Sequence, residues 1–122
     1  MSDATPEMMA EVLTKANEDY SGLYEIVWAF RSRFMPDADE STLIGAARVA
    51  VQRHLAAGNI RLVMYRMLPR PPGVAELNQS DVDDLLEAPD SWRPPKSWED
   101  WYPSIDVTEK GELAWRAPTQ TE

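Results

Sequence analysis

The chain has 122 residues, 43% of them hydrophobic and 27% charged, and a formal net charge of −9, which describes one domain of ordinary globular make-up with a modest core. It has no cysteine, which excludes a disulfide framework, a thiolate metal site and a cysteine nucleophile, and fits a reducing compartment. No run of about 18 apolar residues offers a membrane span, and the opening "MSDATPEMMAEVL" has acids where a signal peptide needs bases and an apolar stretch, so the expected location is the cytoplasm.

Thr5-Pro6-Glu7 predicts a helix start, with Thr5 as N-cap and Pro6 in the first turn, and the helix is expected over about 6–17. A second helix is expected over about 22–34. Leu23, Ile26, Val27, Phe30 and Phe34 share one face, Tyr24 and Trp28 form a second apolar stripe, and Pro36 follows. A helix apolar over so much of its surface reads as a central one. Asp39, Glu40 and Ser41 suit the N-terminus of a third helix over about 40–57, where the helix dipole favours negative charge. On it Leu43, Ala47, Ala50 and His54 form one row, Ile44, Val51 and Leu55 the next, and Arg48, Gln52 and Arg53 lie toward the other side. Gly58 predicts a left-handed stop. Residues 60–68 alternate as a strand, ended by "PRPPG". Ser80-Asp81-Val82-Asp83 reads as a capping signature for a short helix to about residue 87. "APDSWRPPKSWEDWYP" has no clean period and is expected to be an ordered loop, because its aromatic rings are costly to leave in water. Residues 101–107 are expected to pair with 60–68, and a turn at 108–111 leads into a short helix through Trp115. Residues 1–5 and 117–122 are expected to fray.

Two pieces of this pattern, "ARVAVQRHLAAGNIRL" over residues 47–62 and "IDVTEKGELAW" over residues 105–115, resemble a winged-helix domain. The first is similar to a recognition helix running into the first wing strand. The second is similar to the segment where the second wing strand meets a closing helix through Leu-Thr-x-x-Gly. The resemblance implies an α+β, winged-helix-like fold with about three main helices and a two-stranded wing hairpin, and residues 69–100 as a long Pro/Trp-rich wing insertion. The composition, with frequent Ala, Arg, Asp and Pro and scarce Lys, resembles that of proteins from high-GC bacteria or their phages.

Charge is unevenly spread: net −5 over residues 1–30, +4 over 31–70 and −8 over 71–122. The basic middle contains Arg31, Arg33 and Arg70 together with Arg48, Gln52, Arg53, Arg61 and Arg66, which are the candidate nucleic-acid contacts if the third helix enters a groove. The opposite expectation is that these arginines pair with the chain's own twenty-one acids, and the negative total opposes a polyanion at long range. His54, the one histidine, is expected at the core edge rather than as a base or ligand. Asp81, Asp83 and Asp84 lack the spacing and glycine of a calcium loop and suit a helix start. No phosphate loop, nucleophile elbow or metal-binding helix motif is present in the sequence, so no enzyme activity, no cofactor and no metal is expected. Trp92, Trp98, Trp101 and Tyr102 are the candidate partner surface. A core role is expected for Trp101 and Trp115, and either role for Trp92 and Trp98.

The expected function is therefore that of a small acidic protein-interaction module: an adaptor, an inhibitor or an immunity-type factor. A protein partner is expected and a homodimer is open. A DNA-binding transcription regulator is the second reading, and an acidic nucleic-acid mimic the third.

Overall fold

Chain entry and exit at each helix follow local chemistry. The computed structural model describes residues 4–18 and 20–116. Helix α1 spans Pro6–Ala16, and the Thr5 hydroxyl accepts the Met8 N–H. A two-residue strand β1, Ser21–Gly22, leads into α2, Leu23–Arg33, whose first turn is closed by the Glu25 carboxylate accepting the Gly22 N–H at 2.9 Å. Helix α3 is Glu40–Ala57. The Asp39 carboxylate accepts the Thr42 N–H at 2.8 Å, and that backbone bond holds its pKa below the ordinary value. Gly58 ends the helix at φ 79°, a conformation that a Cβ would strain. Strand β2 is Ile60–Arg66, β3 is Gly73–Glu76, α4 is Gln79–Glu87, a 3-10 turn covers Pro89–Trp92, β4 is Tyr102–Val107 and α5 is Glu109–Arg116.

The result is an α+β fold of five helices and one four-stranded antiparallel sheet among the described residues, in the order β1-β4-β2-β3. This corrects the expectation of about three main helices with a two-stranded hairpin: the short α4 and α5 stand beside the three, and β1 and β3 extend the hairpin to four strands. β1 was missed because two residues carry no periodicity. β3 was missed because Pro69, Pro71 and Pro72 precede it and its four residues are too few to alternate visibly. The capping residue of α4 is Asn78, whose side chain accepts the Asp81 N–H, and Ser80 lies inside the helix. The expected fraying of residues 1–3 and 117–122 lies outside the described residues, whereas Thr5 is engaged as a cap.

One face of the sheet carries the core. Ile60 and Leu62 of β2 and Ile105 of β4 meet Val12, Leu23, Ile26 and Phe30 of the first two helices and Leu43, Ala47 and Val51 of α3. Alanines 46, 47 and 50 are buried, which permits the close approach of α3 to its neighbours. Residues 69–100 add to this core: Val82, Leu86 and Trp92 belong to it, and the buried Trp92 indole donates to the Leu86 carbonyl. Trp101, Trp115 and Trp28, by contrast, are 41%, 47% and 52% exposed. The core role expected of Trp101 and Trp115 is thus corrected, and only Tyr24 of the second apolar stripe on α2 is covered.

The end of β2 nearest α3 is tied to the end of β4. The Thr108 hydroxyl donates to the Gly58 carbonyl at 2.6 Å and accepts the Gly111 N–H at 3.0 Å. The Thr108 N–H donates to the Asn59 carbonyl and the Lys110 ammonium to the Ala57 carbonyl. Orphan carbonyls at the C-terminus of α3 therefore receive a hydroxyl and a cation, both favoured at that end of the helix dipole. Gly111 lies so close that an added Cβ would collide with the Asn59 carbonyl. Gly111→Ala is expected to lower unfolding free energy by roughly 1–3 kcal/mol, read by urea denaturation. Trp92→Ala is expected to cost about 3–5 kcal/mol, whereas Trp98→Ala stays within about 1 kcal/mol of wild type in the same assay.

Candidate functional site

Two surfaces hold the residues singled out from the sequence. The first is the outer side of α3. Arg48 donates from Nε to the Leu86 carbonyl at 2.8 Å, at the C-terminal end of α4, where a cation is favoured. Gln52, Leu55 and Ala56 face Gln79, Val82, Asp83 and Leu86 across a groove of about 310 Å³. α4 thus meets α3 through Arg48 and stands across a groove from Gln52, which is itself exposed. Arg53 is exposed and reaches the Ala4 carbonyl at 3.5 Å. Arg61 is gripped by Asp106, with Nε and Nη2 at 3.1 and 3.0 Å from Oδ2, and its Nη1 lies 3.6 Å from Glu76. The Asp106 bond holds the Arg61 pKa above its ordinary value. The Arg66 guanidinium lies 4.7 Å from the ring centre of Trp101, a cation–π contact. Arg33 pairs with Glu11 at 3.5 Å.

His54 is buried. Its Nε2 lies 2.8 Å from the Met9 carbonyl and its Nδ1 3.0 Å from the Asn59 amide nitrogen, which specifies an Nε2–H donor and an Nδ1 acceptor. Both ring nitrogens serve the packing of α1 against the α3–β2 junction. Asp81, Asp83 and Asp84 are exposed on α4. No group of three or more potential metal-binding side chains converges among the described residues, and none of the helices described is long and apolar enough to cross a membrane.

The second surface lies at the far end of the sheet, where residues of β2 and β4 on the face opposite Leu62 and Ile105 meet the start of α2. The β2–β4 register sets Tyr65 opposite Tyr102, their rings 5.9 Å apart edge to face. Tyr20 stacks on Tyr65 at 4.9 Å and 12°. Tyr24 meets Tyr102 at 5.8 Å and Trp28 at 4.8 Å, and Trp98 meets Tyr102 at 6.2 Å. Tyr20 has φ 56°, the one left-handed non-glycine among the described residues. A bulky side chain is uncommon there, and the strain is of order 1–3 kcal/mol. The stacked contact on Tyr65 offsets part of it. The rings of Tyr20, Tyr24, Tyr65, Tyr102 and Trp98, with Met67, Glu18 and Glu25, border an open hollow of about 460 Å³. Trp98, Met67 and Leu68 are 46%, 38% and 39% exposed beside it, and the Leu68 N–H donates to the Trp98 carbonyl at 2.9 Å, which fixes the Trp loop against the end of β2.

Of the four residues expected to form a partner surface, Trp98 and Tyr102 meet here. Tyr102 is itself mostly covered, Trp101 lies against Arg66, and Trp92 is buried in the core and belongs to no surface. Tyr20, Tyr24, Trp28, Tyr65 and Met67 were not placed with them from the sequence. The alternation of residues 60–68 did put Tyr65 and Met67 on one side, but their meeting with Tyr20 and Tyr102 depends on cross-strand register.

Burial pushes the Tyr102 phenol well above its ordinary pKa of 10.0, and the neighbouring Tyr24 and Glu25 reinforce the shift. Burial raises Tyr24 as well. A phenol whose folded pKa is raised favours the folded state fully below the unfolded value, and that contribution is lost as pH climbs from there through the folded value. Stability is therefore expected to hold up to about pH 10 and fall above it. Tyr102→Phe should flatten that alkaline fall and remove the latest step of a phenolate absorbance titration. Comparison with family models, with curated proteins and with solved structures finds no match, and the function has to be read from these residues.

Proposed function

We propose that this chain is a small acidic, non-enzymatic interaction protein on a winged-helix-like scaffold, acting as an adaptor, an inhibitor or an immunity-type factor. It engages a protein partner through the aromatic end of its sheet. The observation that carries this reading is the joining of exposed Trp98, Met67 and Leu68 to a continuous set of tyrosines around an open hollow. Large rings that keep few rotamers and present both apolar and polar edges are the groups that dominate protein interfaces. The left-handed Tyr20 supports it further, since strain held in a sparse backbone region gathers at functional sites. For the scaffold, the support is the succession of α3, a glycine stop, β2 and the return strand β4 into α5 through Thr108 and Gly111.

A transcription regulator reading α3 into a DNA groove is the second reading, favoured by the exposure of Gln52 and Arg53 on α3. Against it stand the engagement of Arg48, Arg61 and Arg66 by the chain's own groups and the net charge of −9.

Affinity capture from the native cell, with wild type beside Trp98→Ala and Met67→Ser, tests the leading reading. A partner protein is expected with wild type, and its recovery should fall about tenfold or more with the Trp98 variant while circular dichroism is unchanged. Equal recovery with all three chains would refute it.

A further inference from the structure

The hollow at the aromatic end differs from an ordinary apolar dimple in its rim. Tyr20, Tyr65 and Trp98 supply ring surface above the mostly covered Tyr102, and Glu18 and Glu25 stand beside them. Aromatic faces carry negative quadrupole potential, and a cation placed within about 6 Å of them is attracted. Carboxylates at the edge of the same hollow add full negative charge in a setting less polar than water, where attraction is stronger than on an open surface. One carboxylate oxygen of Glu25 is occupied by the Gly22 N–H, so its orientation is fixed before any ligand arrives. Glu18 meets Lys15 at 3.5 Å, the long end of an exposed ion pair, and such pairs contribute little. Arg61, a cation close to Tyr20, is held by Asp106 and Glu76.

We propose that this hollow receives a lysine or arginine side chain of the partner protein, its alkyl stem against Met67 and Trp98 and its charge among the tyrosines and Glu18 and Glu25. The site thereby gives the partner's chemistry: a basic segment that offers one projecting cation to a chain of net charge −9. The charge complement also favours encounter at long range, in proportion to how little salt screens it. A neutral proline-rich strand, which also docks on aromatic grooves, would not draw on the two carboxylates. This inference rests on the interaction reading above and deepens it.

The test is a ¹H–¹⁵N NMR titration of the full chain with four short capped peptides: one bearing a single lysine, one a single arginine, one norleucine in the same place, and one proline-rich and neutral. The lysine and arginine peptides are expected to shift the Trp98 indole N–H and the backbone signals of Tyr20, Gly22 and Met67 saturably, and the norleucine peptide is not. Glu18→Gln and Glu25→Gln together should weaken the lysine peptide about fivefold. Glutamine at position 25 still offers an oxygen to the Gly22 N–H, and circular dichroism checks that the fold is kept. Shifts of equal size with norleucine, binding of the proline-rich peptide alone, or no shift with any peptide would overturn the proposal. If partner capture still depends on Trp98 while neutralising both glutamates changes nothing, the interaction reading stands and the cation falls. If the lysine peptide binds but partner capture ignores Trp98, the cation site stands and the interaction reading falls.

Discussion

The rest of the molecule depends on the bond set in which Thr108 and Lys110 cap the end of α3. That end leaves carbonyls unpaired where the chain turns at Gly58, and they would be costly to bury bare. Thr108, Lys110 and the Asn59 backbone join them to the start of α5, while His54 ties the same corner to α1 through Met9 and Asn59. Gly111 lets the two backbones touch. The corner sets Ile60 opposite Val107, and the register then runs without a break to Tyr65 opposite Tyr102. A slip of β2 by one residue would turn Leu62 out of the core and carry Tyr65 into it. The hollow at one end of the sheet is therefore a consequence of the cap at the other.

Charge follows a related logic. The positive middle of the sequence and its negative ends do not persist as separate regions in the folded chain. Glu76 and Asp106, both from the acidic C-terminal stretch, meet Arg61 on neighbouring strands. Arg93 from the insertion spans Glu40 and Asp90, whose hydrogen bonds raise its pKa. The Arg93 pairs are exposed, and each contributes little to stability. The effect of such contacts is on what the surface offers: the guanidinium groups of Arg48, Arg61 and Arg66 are already directed at a carbonyl, at carboxylates and at a ring. The exposed aromatic end, bordered by Glu18 and Glu25, is left as the surface with the clearest binding chemistry.

Much of the frame was legible in the sequence because it rests on local signals. Thr5-Pro6 and Asp39 start helices by capping, Gly58 stops one by its left-handed backbone, and the alanine and leucine rows of α3 are buried as its period predicts. The pairing of the two longer strands followed from their alternation. What was not legible depends on contacts far apart in the chain. Trp92 and Trp101 lie in similar Pro- and acid-rich surroundings, yet one is buried because Leu86 offers its carbonyl and a place in the core, and the other lies at the sheet end over Arg66. Tyr20 follows an irregular turn, and nothing near it in sequence announces that it will stack on Tyr65, forty-five positions on. Nor does the sequence of α4 say that Val82 and Leu86 will join the core, because its apolar stripe is only Val82, Leu85 and Leu86.

The division of labour between the two surfaces can be measured directly by photo-crosslinking in the native cell, with a photoreactive residue in place of Met67 at the aromatic end or of Gln52 on α3. Both positions are exposed, so neither change should disturb the core. Protein adducts from position 67, with none from position 52, are the predicted result. Nucleic-acid or protein adducts from position 52 with none from position 67 would contradict the account.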